Sequence, residues 1–445
     1  MARRSLEHSG DGLGEGGPIV VRGVRRQLLE EGRSRTQRGR ADILVARRHK
    51  SWNNDGMVTH ETAYPRLLPL PQRSFFLFGM RGVGKSTWAK QLLPDAPRFD
   101  LLDEGLYQSY LRDPSLFGRE LARVPEGHWV VVDEVQRLPS LLNDVHRFIE
   151  DRRLRFALLG SSARKLKQTG TNLLAGRALS RVMLPLLPRE LGADFDLDRV
   201  LRFGSVAVIV QSEAPDESLR AYVQMYLKQE IQAEALVRNL PGFARFLPIS
   251  ALFHGQVLNM AGLARDAGVA RTTVTGYLDI LADTQLAWLL PAFEARLRVK
   301  ERQHPKLYWV DPGVVRAARG ELHAPSAVER GPLFEGWVAT LLRAYGDPIT
   351  GLGPRYDGLA YWAPSTGGLE VDFVVRRGRH LAAIEVKAKQ TLSSRDFSGL
   401  KAIAELKNVR RRVLVFLGDR PFRTEDGVDV LPVRHFKDEV ETGRI

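Results

Sequence analysis

A glycine-rich segment near residue 80 has the residue types and spacing of a phosphate-binding loop. It reads Gly79-Met80-Arg81-Gly82-Val83-Gly84-Lys85-Ser86. Backbone N–H groups that turn inward at the start of a helix bind phosphate, and glycine allows the loop to close tightly around it. An apolar run from Ser74 to Phe78 precedes the loop, and a helical pattern from Ser86 to Leu93 follows it. Because strand, loop and helix come in the required order, the segment predicts a site for nucleotide phosphates.

The side chains of this loop have separate predicted roles. Lys85 reaches the β- and γ-phosphates, the Ser86 hydroxyl ligates Mg²⁺, and Thr87 lies beside the α-phosphate. The loop residues that complete the predicted phosphate contacts are Gly79, Gly82, Val83 and Gly84. The sequence therefore predicts ATP and Mg²⁺ as cofactors.

A second acidic element follows the apolar run Val130-Val131-Val132 as Asp133 and Glu134. An apolar strand that ends in carboxylates places acid at the edge of a parallel sheet where ligands bind. Asp133 would hold Mg²⁺ through water, and Glu134 would orient or deprotonate the attacking water. A solvated Asp-Glu pair at the start of a helix is the other interpretation. Together with the glycine loop, the pair favours ATP hydrolysis over simple binding.

The elements that must position these residues alternate between strand and helix. The pattern predicts strands at about Trp129–Val132 and Phe156–Leu159, with a helix at about Leu141–Glu150 between them. This alternation is typical of a parallel sheet covered by helices, so we expect an α/β P-loop NTPase domain over residues 58–190. Residues 1–57 are rich in Gly, Arg, Ser and Glu without apolar periodicity, and we expect them to form an unfolded extension.

The middle of the chain, residues 191–325, has helix-rich patterns. Ser218 to Ala235 predicts a long amphipathic helix, and Met260 to Leu290 predicts short helices around Asp266–Val269, followed by a helix from about Arg271 to Ala282. A helix, a glycine turn and a second helix that begins with Arg and Thr form a helix-turn-helix pattern, whose second helix can enter the DNA major groove. A purely structural three-helix module that mediates protein contacts would have the same pattern.

A third unit over residues 326–445 combines both element types. The predicted elements are a helix near Phe334–Tyr345, strands near Glu370–Val375 and Leu381–Val386, a helix near Asp396–Leu406, and a strand at Arg412–Leu417. We expect an α/β domain.

Four residues of this unit could carry metal-dependent chemistry. Strand alternation places Glu385 and Lys387 on one face, and a hairpin would bring Asp372 beside them. Such a set would bind Mg²⁺ and position a water for phosphodiester hydrolysis, with Glu335 as a further ligand. The pattern resembles the PD-(D/E)XK signature of the restriction-endonuclease superfamily, although Val371 stands where the written motif has proline. This resemblance implies that residues 326–445 form a restriction-endonuclease-like α/β domain. A charged strand pair at a solvated sheet edge would have the same residues.

Several segments together resemble the prokaryotic AAA-type ATPases whose C-terminal domain is nuclease-like. They are Phe76-Leu77-Phe78-Gly79 with Arg81, Val132-Asp133-Glu134-Val135-Gln136, Leu159-Gly160-Ser161-Ser162-Ala163-Arg164-Lys165 and Leu174-Ala175-Gly176-Arg177. The resemblance extends over about residues 62–440. It implies that Ser161 or Ser162 is a polar sensor of the attacking water or γ-phosphate, and Ser162 is the residue we include in the catalytic set.

The same resemblance implies two further features. Arg177 is a candidate arginine finger that completes the site of a neighbouring subunit, which predicts a homo-oligomer; a surface arginine after a glycine turn is the alternative. The helix-turn-helix pattern corresponds to the winged-helix portion expected in this family.

Composition limits the classes of partner. The 445 residues contain 66 Lys and Arg against 52 Asp and Glu, a net charge of +14, and no cysteine. The lack of cysteine excludes disulfide frameworks, thiolate metal sites and cysteine nucleophiles. No run approaches the ~18–20 apolar residues that span a bilayer, and the Arg-rich N-terminus lacks the apolar core of a secretory signal, so we expect a cytoplasmic protein without a membrane partner. The positive charge favours DNA as a partner, and diffuse arginine is the alternative explanation.

These observations predict a Mg-ATP-hydrolysing ATPase of the AAA type, coupled to DNA binding or to a conformational switch. One alternative is a Mg²⁺-dependent DNA nuclease that ATP regulates. Another is a non-catalytic signalling or toxin-antitoxin-like switch that uses ATP to control an interaction.

Overall fold

Contacts within the chain divide it into Met1–Val58 and Thr59–Ile445. In this computed structural model the described residues are 52–53, 56–57, 64–168, 174, 176–227, 239–293, 304–353, 355–364 and 368–445. Within the first part, β1 (Trp52–Asn53) pairs antiparallel with β2 (Gly56–Met57). Residues 1–57 were expected to form an unfolded extension, and all of them except these two strands lie outside the described residues.

The second part begins with a five-stranded sheet in which all neighbouring strands are parallel. Its strands are β3 (Phe75–Phe78), β4 (Arg98–Asp100), β5 (Trp129–Asp133), β6 (Arg155–Gly160) and β7 (Leu179–Val182), in the order β4-β5-β6-β3-β7. The α-helices of this region are Lys85–Leu92, Glu104–Arg112, Ser115–Leu121, Leu142–Arg152 and Arg164–Gln168, and 3₁₀ turns cover Val135–Arg137 and Pro139–Leu141.

The central strands of this sheet are continuous apolar runs because helices cover both faces. The three valines that precede Asp133 are fully buried. The prediction of a parallel α/β sheet is therefore confirmed. Sequence patterns missed β4 and β7, which are only three and four residues long and carry no clear alternation.

The middle of the chain consists of short helices and a small hairpin. Its helices are Pro188–Leu191, Leu197–Phe203, Ala207–Val210, Pro215–Ala221, Leu240–Leu252, Met260–Ala267, Arg271–Asp283 and Pro312–Arg319, with a 3₁₀ turn at Gly192–Asp194 and a π-helix at Tyr222–Leu227. Its strands are β8 (Gln256–Val257), β9 (Ala287–Leu290) and β10 (Lys306–Trp309). β9 and β10 pair antiparallel.

One prediction for this region needs correction, and another is only partly covered by the described residues. Residues 287–290 were expected in a helical region, but they form β9, because their backbone pairs with β10. The helix predicted over Ser218–Ala235 is found in its described part, as the end of Pro215–Ala221 and the π-helix to Leu227, and its remaining residues, 228–235, lie outside the described residues.

The C-terminal region is built on a six-stranded mixed sheet. Its strands are β11 (Gly358–Trp362), β12 (Val371–Arg377), β13 (His380–Lys387), β14 (Val409–Phe416), β15 (Phe422–Arg423) and β16 (Asp429–Pro432), in the order β11-β12-β13-β14-β16-β15. The α-helices are Ala327–Gly346, Ser398–Ile403 and Val433–Thr442, and 3₁₀ turns cover Pro348–Thr350 and Ser394–Phe397. The helix expected at Asp396–Leu406 is thus shorter than predicted, and β11, β15, β16 and the last helix were not predicted.

One continuous apolar core links the α/β sheet, the helical middle and one face of the C-terminal sheet. Tyr308 and Trp309 of β10 are fully buried, and Phe334 of the helix Ala327–Gly346 is buried as well. β10 is therefore a core strand that joins the middle of the chain to the C-terminal region. In the described ranges, no helix is long and apolar enough to cross a membrane.

Candidate nucleotide site and C-terminal carboxylate cluster

The glycine loop connects the end of β3 to the helix Lys85–Leu92. Gly82 and Gly84 have φ angles of 77° and 96°, in the left-handed region that glycine adopts without steric cost. The Lys85 ammonium is buried and donates to the carbonyl oxygens of Gly79 and Met80 at 2.7 Å and 3.2 Å. A Cβ atom at Gly79 would lie 2.5 Å from the Met183 carbonyl oxygen, so this position also requires glycine. The loop therefore has the closed shape and the inward lysine of a phosphate-binding loop.

Ser86 and Asp133 meet at the carboxyl edge of the sheet. Asp133 ends β5 and is 5% exposed. Burial raises the pKa of its carboxyl above the ordinary value, and a hydrogen bond from the Ser86 side chain opposes that rise. A hydroxyl and a carboxylate are hard oxygen donors of the kind that Mg²⁺ prefers, so the two residues fit the predicted magnesium site.

Glu134 is held by two side-chain donors. Its Oε2 atom accepts from the Gln136 amide nitrogen at 2.5 Å and from the Ser161 hydroxyl at 3.2 Å, and the two donors lie 3.0 Å apart. A Cβ atom at Gly160 would lie 2.5 Å from the Gln136 side-chain oxygen, so glycine is needed for Gln136 to reach this position. Glu134 has a φ of 53°, a conformation that is uncommon for residues other than glycine and that occurs at functional sites.

The sheet order brings these side chains close to the glycine loop. β6 lies between β5 and β3, so Ser161, just after β6, lies between Glu134 and the loop. The Ser162 hydroxyl instead accepts from the backbone N–H of Arg164 at 3.2 Å, at the start of the helix Arg164–Gln168. The structure thus places Ser161, and not Ser162, against the carboxylate. Gln136 was missed as a site residue, although it stands two residues after Glu134 in the quoted motif.

A helical segment from the middle of the chain packs against the glycine loop. The backbone N–H of Val208 donates to the Gly82 carbonyl at 3.1 Å, and the Tyr222 hydroxyl donates to the Arg81 carbonyl at 2.9 Å. A Cβ atom at Gly82 would lie 2.6 Å from Val208, so the close approach requires glycine. We call residues 205–210 the covering segment; sequence patterns did not assign it to the site.

Arg66 supports the loop from within the core. Its guanidinium donates to the carbonyls of Val83 at 3.2 Å and Leu184 at 2.6 Å, and its Nε lies 3.2 Å from Glu190 Oε1. Burial lowers the pKa of Arg66, and the charge of Glu190 opposes that effect. A single arginine in a proline-containing segment carries no motif, so sequence patterns could not identify it.

Arg177 lies at the opposite end of the sheet from the glycine loop. It precedes β7, whose Leu179 pairs with Phe75 and whose Val182 pairs with Phe78, the last residue before the loop. Arg177 is partly exposed and forms an ion pair with Glu150. Because the strand length of about 10 Å separates it from the loop, it cannot complete the site of its own chain.

The C-terminal residues predicted to carry metal chemistry do converge. The pairing of Phe373 with Ile384 places Asp372 across from Glu385 in the β12–β13 hairpin. Asp372 accepts from the backbone N–H of Val386 at 2.8 Å, and the Lys387 ammonium lies 2.5 Å from Glu385 Oε1. Burial raises the pKa of Asp372 to about 6, and burial together with the charge of Asp372 raises the pKa of Glu385 well above its ordinary value.

Lys306 of β10 joins this cluster through Asp372 and was missed by sequence patterns. It is 1% exposed, and its ammonium lies 3.0 Å from Glu335 Oε1, contacts Glu370, and lies 3.7 Å from Asp372 Oδ1. The Tyr308 hydroxyl also donates to Glu335 at 2.5 Å. The one signal in the sequence is a lysine at the start of the apolar strand Lys306–Trp309, since a buried lysine requires a carboxylate partner.

The predicted helix-turn-helix has an exposed leading edge. Gly268 ends the helix Met260–Ala267 with a φ of 62°, and the second helix begins at Arg271. Arg271, Thr272 and Thr275 are exposed, whereas Val274 and Tyr277 face the core. A polar face at the start of this helix is therefore accessible to a partner.

A glycine loop and paired carboxylates on a five-stranded parallel sheet define a nucleotide-binding domain of the P-loop class. Family profiles agree: residues 71–192 match that of an AAA domain, which supports the interpretation of the chain as a nucleotide-binding AAA-type ATPase. Residues 194–323 and 330–436 match DUF8612 and DUF4143, each described as a domain of unknown function. The C-terminal match therefore does not confirm the expected restriction-endonuclease-like domain.

Two relatives are similar over most of the chain. The uncharacterized proteins Rv2008c of Mycobacterium tuberculosis and Mb2031c of Mycobacterium bovis are each 28% identical over 369 residues, which is 80% of this chain and 79% of the relative. Among solved structures, protein VC1899 from Vibrio cholerae is 13% identical with a TM-score of 0.20, over 83% of this chain and 96% of that chain. A Signal Transduction ATPase with Numerous Domains from Pyrococcus horikoshii is 14% identical with a TM-score of 0.20, over 66% of this chain and 50% of that chain.

Proposed function

We propose that this chain is an AAA-type ATPase that hydrolyses Mg-ATP at the glycine loop. The observation that carries the proposal is the Glu134 carboxylate, which Gln136 and Ser161 hold at the same edge of the sheet as the loop. A protein that only bound nucleotide would need the loop but not a carboxylate oriented for water. The arrangement therefore supports hydrolysis as well as binding.

Each residue of the site has a definite task in this proposal. Lys85 would release its carbonyl partners and contact the β- and γ-phosphates, while Ser86 and Asp133 would hold Mg²⁺. When bound, Mg²⁺ supplies charge stabilisation for the phosphoryl oxygens. Glu134 would accept a proton from the attacking water, or orient that water, and its two donors keep the carboxylate in place.

Two substitutions separate binding from hydrolysis. We expect Lys85→Ala to abolish ATP binding, because the phosphate charge loses its cation, and Glu134→Gln to retain binding while turnover falls by about 100-fold or more. Phosphate release measures turnover, and calorimetry measures binding. Lys90→Ala, at an exposed position of the same helix, is the matched control. Wild-type turnover in Lys85→Ala would refute the proposal.

We further propose that the middle of the chain is a winged helix whose helix Arg271–Asp283 binds DNA. The exposed Arg271 and Thr272 at its start and the net charge of +14 support this assignment. We expect Arg271→Ala to weaken DNA binding and to reduce the slope of log affinity against log salt by about one. Arg119→Ala, an exposed arginine of the α/β domain, is the control, and a flat salt response would count against DNA binding.

ATP turnover measured with and without single- and double-stranded DNA connects the two proposals. Stimulation by DNA would indicate a motor or switch that acts on DNA. Unchanged turnover with measurable DNA binding would indicate that the two sites work independently.

A nuclease that ATP regulates is the second candidate, and the convergence of Asp372, Glu385 and Lys387 favours it. We expect nicking of DNA with Mg²⁺ or Mn²⁺ that disappears in Asp372→Ala and in Lys387→Ala. Absence of nicking over a broad panel of substrates would indicate that the C-terminal region has a structural role and no nuclease activity.

A further inference from the structure

The ammonium of Lys306 is enclosed by carboxylates from separate parts of the C-terminal region. Glu335 comes from the helix Ala327–Gly346, Glu370 from the segment before β12, and Asp372 from β12 itself. The Tyr361 ring centroid lies 5.5 Å from the same nitrogen. Burial lowers the pKa of Lys306, but the charge of Glu335 and its neighbours outweighs that effect and raises it well above the ordinary value. The lysine is therefore a buried cation.

This ammonium lies between two of the carboxylates that were expected to bind a divalent cation. Glu335 and Asp372 are two of the predicted metal ligands, and both face Lys306. A buried ammonium without partners would be strongly destabilising, so the carboxylates and the lysine stabilise one another. Within the described ranges, no group of three or more His, Asp or Glu residues is arranged to hold a metal ion.

Glu385 adds an independent observation. The residue is 6% exposed, and its Oε1 atom is bound to Lys387, but its Oε2 atom has no hydrogen-bond partner among the residues that the structure describes. A buried carboxylate oxygen without a partner is costly, and such an atom calls for an explanation such as an ion. The cluster thus retains acceptor capacity that neither Lys306 nor Lys387 satisfies.

We propose that Lys306 is the resident cation of this cluster and that the cluster binds a divalent cation only after the Lys306 side chain is withdrawn. The proposal rests on the nuclease-like candidate and does not depend on ATP hydrolysis. In the conformation described, the C-terminal site is blocked by the chain itself. Withdrawal would free Glu335 and Asp372 to join Glu385 as oxygen ligands for Mg²⁺ or Mn²⁺.

The test is Mn²⁺ binding to the nucleotide-free full chain, measured by calorimetry. Lys306→Met removes the ammonium and keeps an apolar stem of similar length, so we expect it to bind Mn²⁺ at least about tenfold more tightly than the wild type. The gain should disappear in Lys306→Met combined with Asp372→Asn, which also subtracts any Mn²⁺ bound elsewhere. Lys389→Met, at an exposed lysine of the same region paired with Asp396, should show no gain.

Two results would overturn the proposal. One is wild-type protein that already binds Mn²⁺ through Asp372 as tightly as Lys306→Met, and the other is a folded Lys306→Met variant without any gain. If circular dichroism shows that Lys306→Met does not fold, the charge-balanced pair Lys306→Gln with Glu370→Gln is judged by the same criteria. Because nucleotide is absent, the Mn²⁺ affinities can be interpreted whether or not the chain hydrolyses ATP. Lys85→Ala tests the ATPase proposal separately.

Discussion

The carboxylate of Asp311 accepts a hydrogen bond from the backbone N–H of Ser205 at 2.6 Å and thereby ties the helix Pro312–Arg319 to the covering segment. Its other oxygen caps that helix through the Val314 N–H at 3.0 Å. Gly204 has a φ of 75°, and a Cβ atom there would lie 1.9 Å from Asp311, so the contact requires glycine. Burial raises the pKa of Asp311 to about 6, which leaves the carboxyl ionised at neutral pH.

We expect Asp311→Ala to loosen the covering segment and weaken ATP binding by about tenfold, the effect of losing one or two hydrogen bonds of ordinary strength. Hydrogen exchange of the Ser205 and Val208 amides and calorimetric titration with ATP measure the two effects. Asp196→Ala removes a cap from the helix Leu197–Phe203 alone and serves as the matched control. If the Ser205 amide keeps its protection in Asp311→Ala, the hydrogen bond is not what holds the segment.

The two serines after β6 should differ in their effect on turnover. Ser161→Ala removes a hydrogen bond to the Glu134 carboxylate, and we expect kcat to fall by about tenfold while ATP affinity changes little. Ser162→Ala removes only the contact with the Arg164 N–H, so we expect kcat to be nearly unchanged. Steady-state turnover and ATP binding of the two variants decide the matter. The reverse pattern would assign the sensor role to Ser162.

We expect Arg177 to act on the nucleotide site of another subunit and not on the site of its own chain. We expect Arg177→Ala and Lys85→Ala to be inactive when alone, and a mixture of the two to regain turnover. Mixed assemblies would combine the intact loop of one variant with the arginine of the other. Loss of the exposed pair with Glu150 should cost at most about 1 kcal/mol, so the fold should persist.

A mixture of Lys85→Ala with Glu134→Gln is the control for that experiment, because neither variant has an intact hydrolytic site and no turnover should return. Wild-type activity of Arg177→Ala alone would identify Arg177 as an ordinary surface residue.

His254 should make the protein sensitive to acid. Burial lowers the pKa of His254 to about 3, and its Nδ1 atom accepts from the Trp309 N–H at 3.0 Å. The imidazole of His254 takes up a proton near pH 6.5 in the unfolded chain but stays neutral at that pH in the folded chain. The free energy of unfolding is therefore not reduced by this difference above pH 6.5, and it decreases as the pH falls below that value. Between about pH 6 and pH 4, we expect an additional loss of roughly 1.4 kcal/mol of unfolding free energy per pH unit.

His254→Asn provides the comparison, because its amide oxygen can accept from Trp309 but does not titrate in this range. Urea unfolding of both proteins across the pH range gives the difference in slope. Parallel pH dependences would show that His254 is not buried in its neutral form.

Local sequence was sufficient to predict the glycine loop, the apolar strand before it and the carboxylates after β5. Each of these features depends on residues that are close in the chain. The loop needs φ angles that favour glycine and a helix that starts at Lys85, and the carboxylates follow a run of valines that must be buried. The same reasoning missed the short strands β4 and β7, because these edge strands mix polar and apolar residues and lack the continuous apolar run that identified β3.

Which residues meet across the fold was decided only by the tertiary structure. Adjacent serines are equivalent in the sequence, yet the direction of the chain after β6 brings Ser161 to Glu134 and leaves Ser162 as a cap. Lys306 lies 66 residues before Asp372 in the chain, and only burial of β10 against the C-terminal sheet brings the ammonium into the cluster. The sequence by itself therefore determined the nucleotide loop, because its geometry is local, whereas long-range packing decided which charges balance one another.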